Sequence, residues 1–320
     1  MAITRGPFEA AAALQGVGPA EQPSQLRTRL RAAIQSGGLV LPGATDALGL
    51  RLVERAGFAA AYITGAGLAN ALYGLPDLGL TSSGEVLDHV TRLANSTALP
   101  LVVDADTGFG GPLAAMRTAR LLERAGVAAI QIEDQEMPKR CGHFDHHTLI
   151  PAEHMAAKIE AVRQGLQDPA TVLIARTDAR GVHDVEEALR RATMYRDAGA
   201  DVLFVEALRS TDELARVGAE LRGVPLLVNV VEGGKTPELP VTAYRQLGFE
   251  IILYANYLMR SVMHAAAAAL THLAEHGETI SRASRMATWQ QRQDLFNLRE
   301  FTAAEAHFDA VTPQVREPAS

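Results

Sequence analysis

The chain has 320 residues, of which 48% are hydrophobic and 21% are charged, a balance typical of a soluble globular protein. Its formal net charge of −7 argues against a protein that binds nucleic acid or an anionic membrane surface. The single cysteine excludes an intramolecular disulfide, and apolar runs of about 18 residues, the length of a membrane span, are absent. We therefore expect a cytoplasmic protein.

Eight apolar, β-rich runs follow one another along the chain, and each is followed by a stretch with helical periodicity. The runs cover residues 37–43, 60–67, 99–106, 128–135, 171–179, 200–207, 224–234 and 250–256. Runs that are apolar almost without interruption are typical of parallel strands covered by helices on their outer face. Gly57, Gly126 and Gly199 stand just before the next strand, where glycine commonly ends a helix.

Eight βα units in about 240 residues predict an α/β protein with a (β/α)8 TIM barrel. The alternative is an open doubly wound sheet, which would have a glycine fingerprint after its first strand. The sequence GAGLAN follows the second run instead and has Asn70 in place of the third glycine. We divide the chain into a flexible N-terminal segment (1–23), a catalytic barrel (24–265) and a C-terminal helical extension (266–320). The extension exceeds what one barrel needs, so we expect it to pack on another subunit.

Polar residues end six of the eight predicted strands, which is where barrel enzymes place their active sites. Asp104 and Asp106 are two residues apart, so both point to the same side of an extended strand, and a divalent cation would relieve their repulsion. Oxygen ligands, with Glu133 one strand away, suit Mg²⁺ or Mn²⁺ better than zinc. The alternative is that these acids form salt bridges with barrel arginines such as Arg176. The glycine-rich turn that follows Asp106 permits close approach of a ligand and favours the metal.

The segment PKRCGHFDHH (138–147) directly follows the fourth predicted strand, so we expect it at the mouth of the barrel. It lacks the second CxxC or HxxxH pair of a structural zinc site. Lone cysteines are more often inert and buried among apolar groups, but Cys141 stands beside Lys139, Arg140 and His143, which favour its thiolate. We interpret this segment as a mobile gate with a reactive thiol, and its two final histidines as surface residues.

Eight stretches of the chain together resemble the isocitrate lyase and phosphoenolpyruvate mutase superfamily. The stretches are YITGAG (62–67), GLPDLGLTS (74–82), LVVDADTGFG (101–110), IEDQ (132–135), KRCGH (139–143), ARTDA (175–179), EAL (206–208) and NVVEGGKTP (229–237). They span roughly residues 38–265, and they look closest to the branch of 2-methylisocitrate lyase and 2,3-dimethylmalate lyase. KRCGH is typical of the carbon–carbon lyases, since the mutases and hydrolases of the superfamily lack its cysteine.

The resemblance implies a (β/α)8 barrel whose last helix is exchanged between subunits, usually in a homotetramer. It also implies Mg²⁺, or Mn²⁺ in its place, near Asp104 and Asp106, with Glu133 assisting and Asp77 close to the metal. The residues that would bind the substrate are Thr64, Gly65, Ala66, Gly142, Asn229 and Asn256, the first three through backbone amides that hold a carboxylate.

The reaction implied by the resemblance is a retro-aldol cleavage of a 2-hydroxy di- or tricarboxylate. Its products would be a 2-oxo acid, pyruvate or glyoxylate, and a carboxylate such as succinate or propionate. Cys141 would protonate the carbanionic fragment as general acid, with Lys139 and His143 tuning its thiol. The remaining catalytic residues would be Tyr62, a candidate acceptor of the hydroxyl proton, and Arg176 and Glu206, which would bind substrate oxygens.

Two stretches leave the substrate open. YANYLMR (254–260) resembles the mutase and phosphonopyruvate hydrolase branch, whereas NVVEGGKTP resembles the enzymes that cleave dimethylmalate and oxaloacetate. The alternative functions are therefore oxaloacetate hydrolysis or decarboxylation, and phosphonopyruvate mutase or hydrolase chemistry, on the same barrel. A non-catalytic binding barrel is disfavoured, because an inert relative would be expected to have lost some of the polar residues at the strand ends, and none is missing here.

Overall fold

The computed structural model describes residues 21–140 and 147–311. Its eight strands are β1 Leu39–Ala44, β2 Ala61–Ile63, β3 Leu101–Asp104, β4 Ala129–Glu133, β5 Val172–Thr177, β6 Val202–Val205, β7 Leu226–Asn229 and β8 Ile251–Tyr254. They form a closed parallel barrel in sequence order, in which β8 pairs with β1. Each predicted apolar run contains one strand, with β1 passing the end of its run by one residue, so the predicted TIM barrel is confirmed.

Helices alternate with the strands and form the outer layer of the barrel. They are α1 Pro23–Gln35, α2 Ala47–Arg55, α3 Gly65–Tyr73, α4 Ser83–Ala94, α5 Pro112–Arg124, α6 Ala152–Gly165, α7 Ala179–Val182, α8 Val185–Asp197, α9 Thr211–Glu220, α10 Val241–Gln246, α11 Tyr257–His276, α12 Trp289–Leu295 and α13 Leu298–Val311. A 3₁₀ helix, Ile280–Arg285, precedes α12. The helices after β8 confirm the predicted C-terminal helical extension.

The first helix closes the amino-terminal end of the barrel. Leu30 and Ile34 of α1 pack against the side chains inside the barrel, so this end is filled by apolar groups. Arg27 of the same helix is buried, and its Nη1 lies 2.8 Å from Asp168 Oδ2. The cavity of the barrel lies at the opposite end, where the strands terminate.

The long helix α11 has no buried side chain along its 20 residues. Val262, Met263 and Leu270 are more than half exposed on it. The predicted exchange of this region between subunits stays a prediction. In the two described ranges, none of the helices has both the length and the hydropathy needed to cross a bilayer.

Candidate active site

The carboxyl ends of the strands surround a cavity of about 230 Å³. Its wall is formed by Tyr62, Thr64, Ala66, Asp77, Asp104, Glu133, Lys139, Arg140, Arg176, Phe204, Glu206, Asn229, Val231, Leu253, Ala255 and Asn256. Most of the site residues predicted from the sequence therefore meet in one place. The wall residues that were not predicted are Arg140 and the apolar side chains.

Two predicted residues contact the wall without lining the cavity. Asp106 is 2% exposed and lies behind the wall. Gly65 also lies behind it, and its amide is already used because it donates to Asp104 Oδ2 at 3.3 Å. The predicted roles of Cys141, Gly142 and His143, and the predicted surface position of His146, fall outside the described residues and stay predictions.

The expectation that His147 lies on the surface is wrong, since this residue is 6% exposed. The chain returns to the barrel at this point: the amide of Glu136 donates to the carbonyl of Thr148 at 2.8 Å. This pairing brings His147 against the end of β5, where its Nε2 lies 3.5 Å from the carbonyl oxygen of Asp178.

A buried glutamine links Tyr62 to Asp104. The Tyr62 hydroxyl donates to Gln131 Oε1 at 2.8 Å, and Gln131 Nε2 donates to Asp104 Oδ1 at 3.2 Å. Burial, and then the charge of Asp104, raise the pKa of Tyr62 well above its usual value. The phenol is thus held neutral, which favours a hydrogen-bond donor over a proton acceptor. The prediction missed Gln131, whose only signal is a polar residue inside the apolar strand AIQIE.

Lys139 pairs with two of the residues that were predicted to lie near the metal. Its ammonium lies 2.6 Å from Asp77 Oδ1 and 2.8 Å from Asp106 Oδ1. Burial lowers the pKa of Lys139, but the carboxylates around it, Asp106 first, outweigh that effect and raise this pKa well above its usual value. Burial raises the pKa of Asp106 to about 6, although the charge of Lys139 acts in the opposite direction.

The turn after β3 has an unusual backbone conformation. Asp106 has φ of 47° and Phe109 has φ of 59°, both in the left-handed region that side chains other than glycine rarely adopt. The start of α3 approaches this turn closely: a Cβ at Gly65 would lie 3.0 Å from Asp106 Oδ1. Glycine at position 65 therefore allows the helix to sit directly against the two aspartates.

Arg176, at the end of β5, is surrounded by carboxylates. It donates to both oxygens of Asp178, at 3.0 and 2.7 Å, and lies 3.5 Å from Glu133 Oε2 and 3.7 Å from Glu206 Oε2. Its guanidinium lies over the ring of Phe204, 5.1 Å from the centroid. Burial opposes the charge of Arg176, but these acids outweigh it and raise its pKa, so Arg176 is a permanent cation in the cavity wall.

Two asparagine amides also line the cavity. Asn229 Nδ2 donates to Glu206 Oε2 at 3.2 Å, which directs the amide oxygen of Asn229 away from that carboxylate. The Oδ1 atoms of Asn229 and Asn256 are buried and lack a hydrogen-bond partner among the described residues. Such acceptors suit a ligand that carries a hydroxyl group or brings bound water.

The donors in the cavity suit a hard cation. No three His, Cys, Asp or Glu side chains within residues 21–140 and 147–311 are grouped closely enough to hold a metal ion by themselves. Mg²⁺, however, is commonly bound through one or two carboxylates, with water and substrate oxygens completing its octahedron. Asp104 and Glu133 fit that role, because both line the cavity and Glu133 Oε1 is a buried oxygen without a hydrogen-bond partner in the described part of the chain.

The fold and the site define a TIM-barrel enzyme whose cavity combines buried cations and carboxylates. The profile of the phosphoenolpyruvate phosphomutase family matches residues 30–274 of the chain. The chain belongs to the phosphoenolpyruvate mutase/isocitrate lyase superfamily, which confirms the resemblance seen in its motifs.

Three curated relatives are similar over most of the chain. The chain is 38% identical to the petal death protein of Dianthus caryophyllus over 307 residues, 96% of each chain. It is 40% identical to 2-methylisocitrate lyase of Bacillus subtilis (strain 168) over 268 residues, 84% of this chain and 87% of the relative. It is 36% identical to 2,3-dimethylmalate lyase of Eubacterium barkeri over 270 residues, 84% and 93% of the two chains.

Solved structures show the same architecture. A crystal structure of 2,3-dimethylmalate lyase has a TM-score of 0.83 and 35% identity, covering 90% of this chain and 96% of that one. Oxaloacetate acetylhydrolase in complex with 3,3-difluorooxalacetate has a TM-score of 0.84 and 30% identity, covering 90% and 99%. Phosphonopyruvate hydrolase in complex with oxalate and Mg²⁺ has a TM-score of 0.79 and 27% identity, covering 89% and 99%. The fold is therefore shared by relatives that carry out different reactions.

Proposed function

We propose that the protein is a carbon–carbon lyase that cleaves a substituted 2-hydroxy di- or tricarboxylate of the 2-methylisocitrate or 2,3-dimethylmalate type. The products would be a 2-oxo acid, pyruvate or glyoxylate, and a carboxylate such as succinate or propionate. The observation that carries this proposal is the cavity itself, in which Arg176 and Lys139 provide buried positive charge beside Asp104 and Glu133. The relatives named as lyases, at 40% and 36% identity, support the same reaction class.

In this proposal Asp104 and Glu133 hold Mg²⁺, while Asp77 and Asp106 hold the ammonium of Lys139 close to the ion. When bound, the ion supplies a Lewis acid for the oxygens of the substrate's 2-hydroxy acid portion. Lys139 balances the acids around it, because without a cation these buried carboxylates would repel one another and the anionic substrate.

The side chains of this chain would then carry the cleavage. Arg176 binds a substrate carboxylate, and the amide oxygen of Asn229 accepts a hydrogen bond from the substrate's hydroxyl group. A general base takes the hydroxyl proton, and the electron pair of the O–H bond forms the carbonyl of the 2-oxo acid. The carbon–carbon bond breaks, and its electron pair stays on the fragment that becomes an aci-carboxylate. Cys141 donates a proton to that carbon as general acid, with Lys139 and His143 favouring the charge change at its sulfur.

A panel assay for 2-oxo acid release tests the proposal. The panel comprises methylisocitrate, isocitrate, dimethylmalate, citramalate, oxaloacetate and phosphonopyruvate, each with Mg²⁺ and with excess chelator. Mg²⁺-dependent turnover of one of the four 2-hydroxy acids is expected. Turnover of phosphonopyruvate alone, or of none of the six, would overturn it.

Oxaloacetate cleavage is the second candidate. The observation in its favour is the similarity to oxaloacetate acetylhydrolase, whose structure matches with a TM-score of 0.84. The same panel separates the two candidates when loss of oxaloacetate and formation of oxalate are also followed, because hydrolysis of oxaloacetate to oxalate and acetate releases no 2-oxo acid. Oxaloacetate turnover without cleavage of any 2-hydroxy acid would favour the hydrolase.

We also propose that the protein is a homotetramer in which the C-terminal helices are exchanged between subunits. The support is a groove of about 400 Å³ between α2 and α11, with Leu48 and Leu52 on one side and Leu258 and Val262 on the other. An apolar groove beside a helix with no buried side chain suits a protein interface.

A further inference from the structure

The structure assigns a positioning role to Asp178: its carboxylate fixes the guanidinium of Arg176 in the orientation that presents Nη1 to the substrate. Asp178 belongs to the ARTDA stretch and has no role in the function proposed above. The inference rests on that function in one respect, because it takes Arg176 to bind a substrate carboxylate.

The contact between the two residues is bidentate. Arg176 Nε donates to Asp178 Oδ2 at 3.0 Å, and Nη2 donates to Oδ1 at 2.7 Å. Two parallel hydrogen bonds fix both the position and the plane of a guanidinium, which a single contact would not do. Asp178 is only 1% exposed and Arg176 9%, so water competes little for these bonds. The contact occupies the edge formed by Nε and Nη2. Nη1 lies 3.7 Å from Glu206 Oε2, beyond hydrogen-bond distance, so Nη1 can donate to a ligand.

Competing acids make this orientation necessary. Arg176 Nε also lies 3.5 Å from Glu133 Oε2, and Nη1 lies 3.7 Å from Glu206 Oε2. Attraction between opposite charges is strong in a buried site, so without Asp178 the guanidinium would turn toward one of these glutamates. That movement would cover Glu133, which would hold the cation, and would remove Nη1 from the substrate. Phe204 packs against one face of the guanidinium but does not fix how the guanidinium is rotated within its own plane.

Asp178 is itself held from outside the barrel. Its backbone amide donates to Asp134 Oδ1 at 3.0 Å. The other oxygen of Asp134 accepts hydrogen bonds from Thr177 Oγ1 at 2.7 Å, Tyr195 Oη at 2.8 Å and Arg191 Nη1 at 3.1 Å. Since Arg191 and Tyr195 belong to α8, the outer helix layer anchors the residue that orients Arg176. The carboxylate of Asp178 is thus preorganised before a ligand arrives.

A double-mutant cycle tests the inference. The cycle compares the wild type with D178N, R176A and the double variant. Calorimetry measures oxalate binding in the presence of Mg²⁺. Steady-state kinetics measure kcat and KM on the substrate found in the panel. D178N should weaken oxalate binding about 10- to 100-fold in the wild-type background. It should have almost no effect in the R176A background, because a residue that acts through Arg176 has nothing left to orient. The matched control is D184N. The carboxylate of Asp184 lies on the exposed surface and caps α8 by accepting a hydrogen bond from the Glu187 amide at 2.9 Å. D184N should therefore bind oxalate and turn over the substrate normally.

Equal losses from D178N in both backgrounds would overturn the positioning role and show an independent structural effect. A crystal structure of D178N gives a readout that needs no ligand: the guanidinium should turn toward Glu133 or Glu206, and an unmoved guanidinium would also overturn the inference. If the wild type cleaves no 2-hydroxy acid yet shows this coupling in oxalate binding, the lyase function fails while the role of Asp178 stands.

Discussion

The ammonium of Lys139 lies 2.6 Å from Asp77 Oδ1, and the two side chains are only 5% and 14% exposed. The contact joins the segment after β4 to the segment after α3, which are far apart in sequence. Lys139 also pairs with Asp106, so one cation serves two buried acids. This arrangement leads to the first prediction.

Lys139→Met should abolish turnover and destabilise the fold by about 3–5 kcal/mol, because it leaves buried carboxylates without their partner. Urea unfolding at neutral pH measures the stability, and the panel substrate measures the activity. Arg92→Ala is the matched control, since it breaks an ion pair that is 75% and 65% exposed and should cost no more than about 1 kcal/mol. Equal stabilities for the two variants would refute the prediction.

Cys141→Ser should remove most of the lyase turnover while Mg²⁺ and product binding stay close to wild type. The hydroxyl of serine is a far weaker acid than a thiol, so it protonates the departing fragment poorly. Steady-state kinetics and calorimetric titration with the product 2-oxo acid check the two parts. Normal turnover of the variant would show that another group is the general acid.

Tyr62→Phe should lower the free energy of unfolding by about 1–3 kcal/mol, because the buried Oε1 of Gln131 loses the hydroxyl that donates to it. It should also weaken Mg²⁺ binding, since Gln131 in turn holds Asp104. Denaturation and metal titration measure the two effects. Tyr73→Phe, at an exposed position, is the control. A variant that matches this control in both measurements would mean that the hydrogen-bonded chain is unimportant.

Glu187→Gln should change the acid dependence of stability. Hydrogen bonds from Arg190 first, and also from Arg191, lower the pKa of Glu187 from 4.5 to about 2. A carboxyl group whose pKa is lower in the folded than in the unfolded state stabilises the fold at pH values above the unfolded-state pKa. This contribution is lost as the pH falls toward the folded-state pKa. The variant should therefore be less stable than wild type above pH 4.5, with the difference closing as the pH falls toward 2.

Urea unfolding from neutral pH down to about pH 3 follows that difference. Glu160→Gln, at an exposed position on α6, is the control and should track wild type throughout. A gap between wild type and the Glu187 variant that stays constant with pH would contradict the linkage.

Val262→Asp should reduce the particle mass measured by light scattering, because it places a charge in the apolar groove between α2 and α11. Leu113→Asp is the control, since Leu113 is 77% exposed on α5, away from that groove, and should leave the mass unchanged. A wild-type protein that is monomeric, or a variant of undiminished mass, would refute the proposed exchange of helices.

Much of the fold could be predicted from local patterns. Unbroken apolar runs located all eight strands, because a strand buried on both faces has few places for polar residues. The polar ends of the runs predicted the cavity wall, since parallel strands bring their carboxyl ends to one side of a barrel. The residue types of Asp104, Glu133 and Arg176 were sufficient to place them there.

Pairings between distant segments were decided only by the tertiary structure. The family resemblance implied that Asp77 and Asp106 lie near a metal, and that part stays a prediction. Their pairing with Lys139 from another loop could not be predicted. Gln131 gained its role from Tyr62 and Asp104 on other strands, and Asp178 is anchored by Asp134 at the end of β4. His147 was buried by the return of the chain to the barrel. The physical reason is that hydrophobic periodicity is a property of a single segment. Which buried charge meets which partner depends instead on strand register and on the path of the connecting loops, and these exist only in the folded chain.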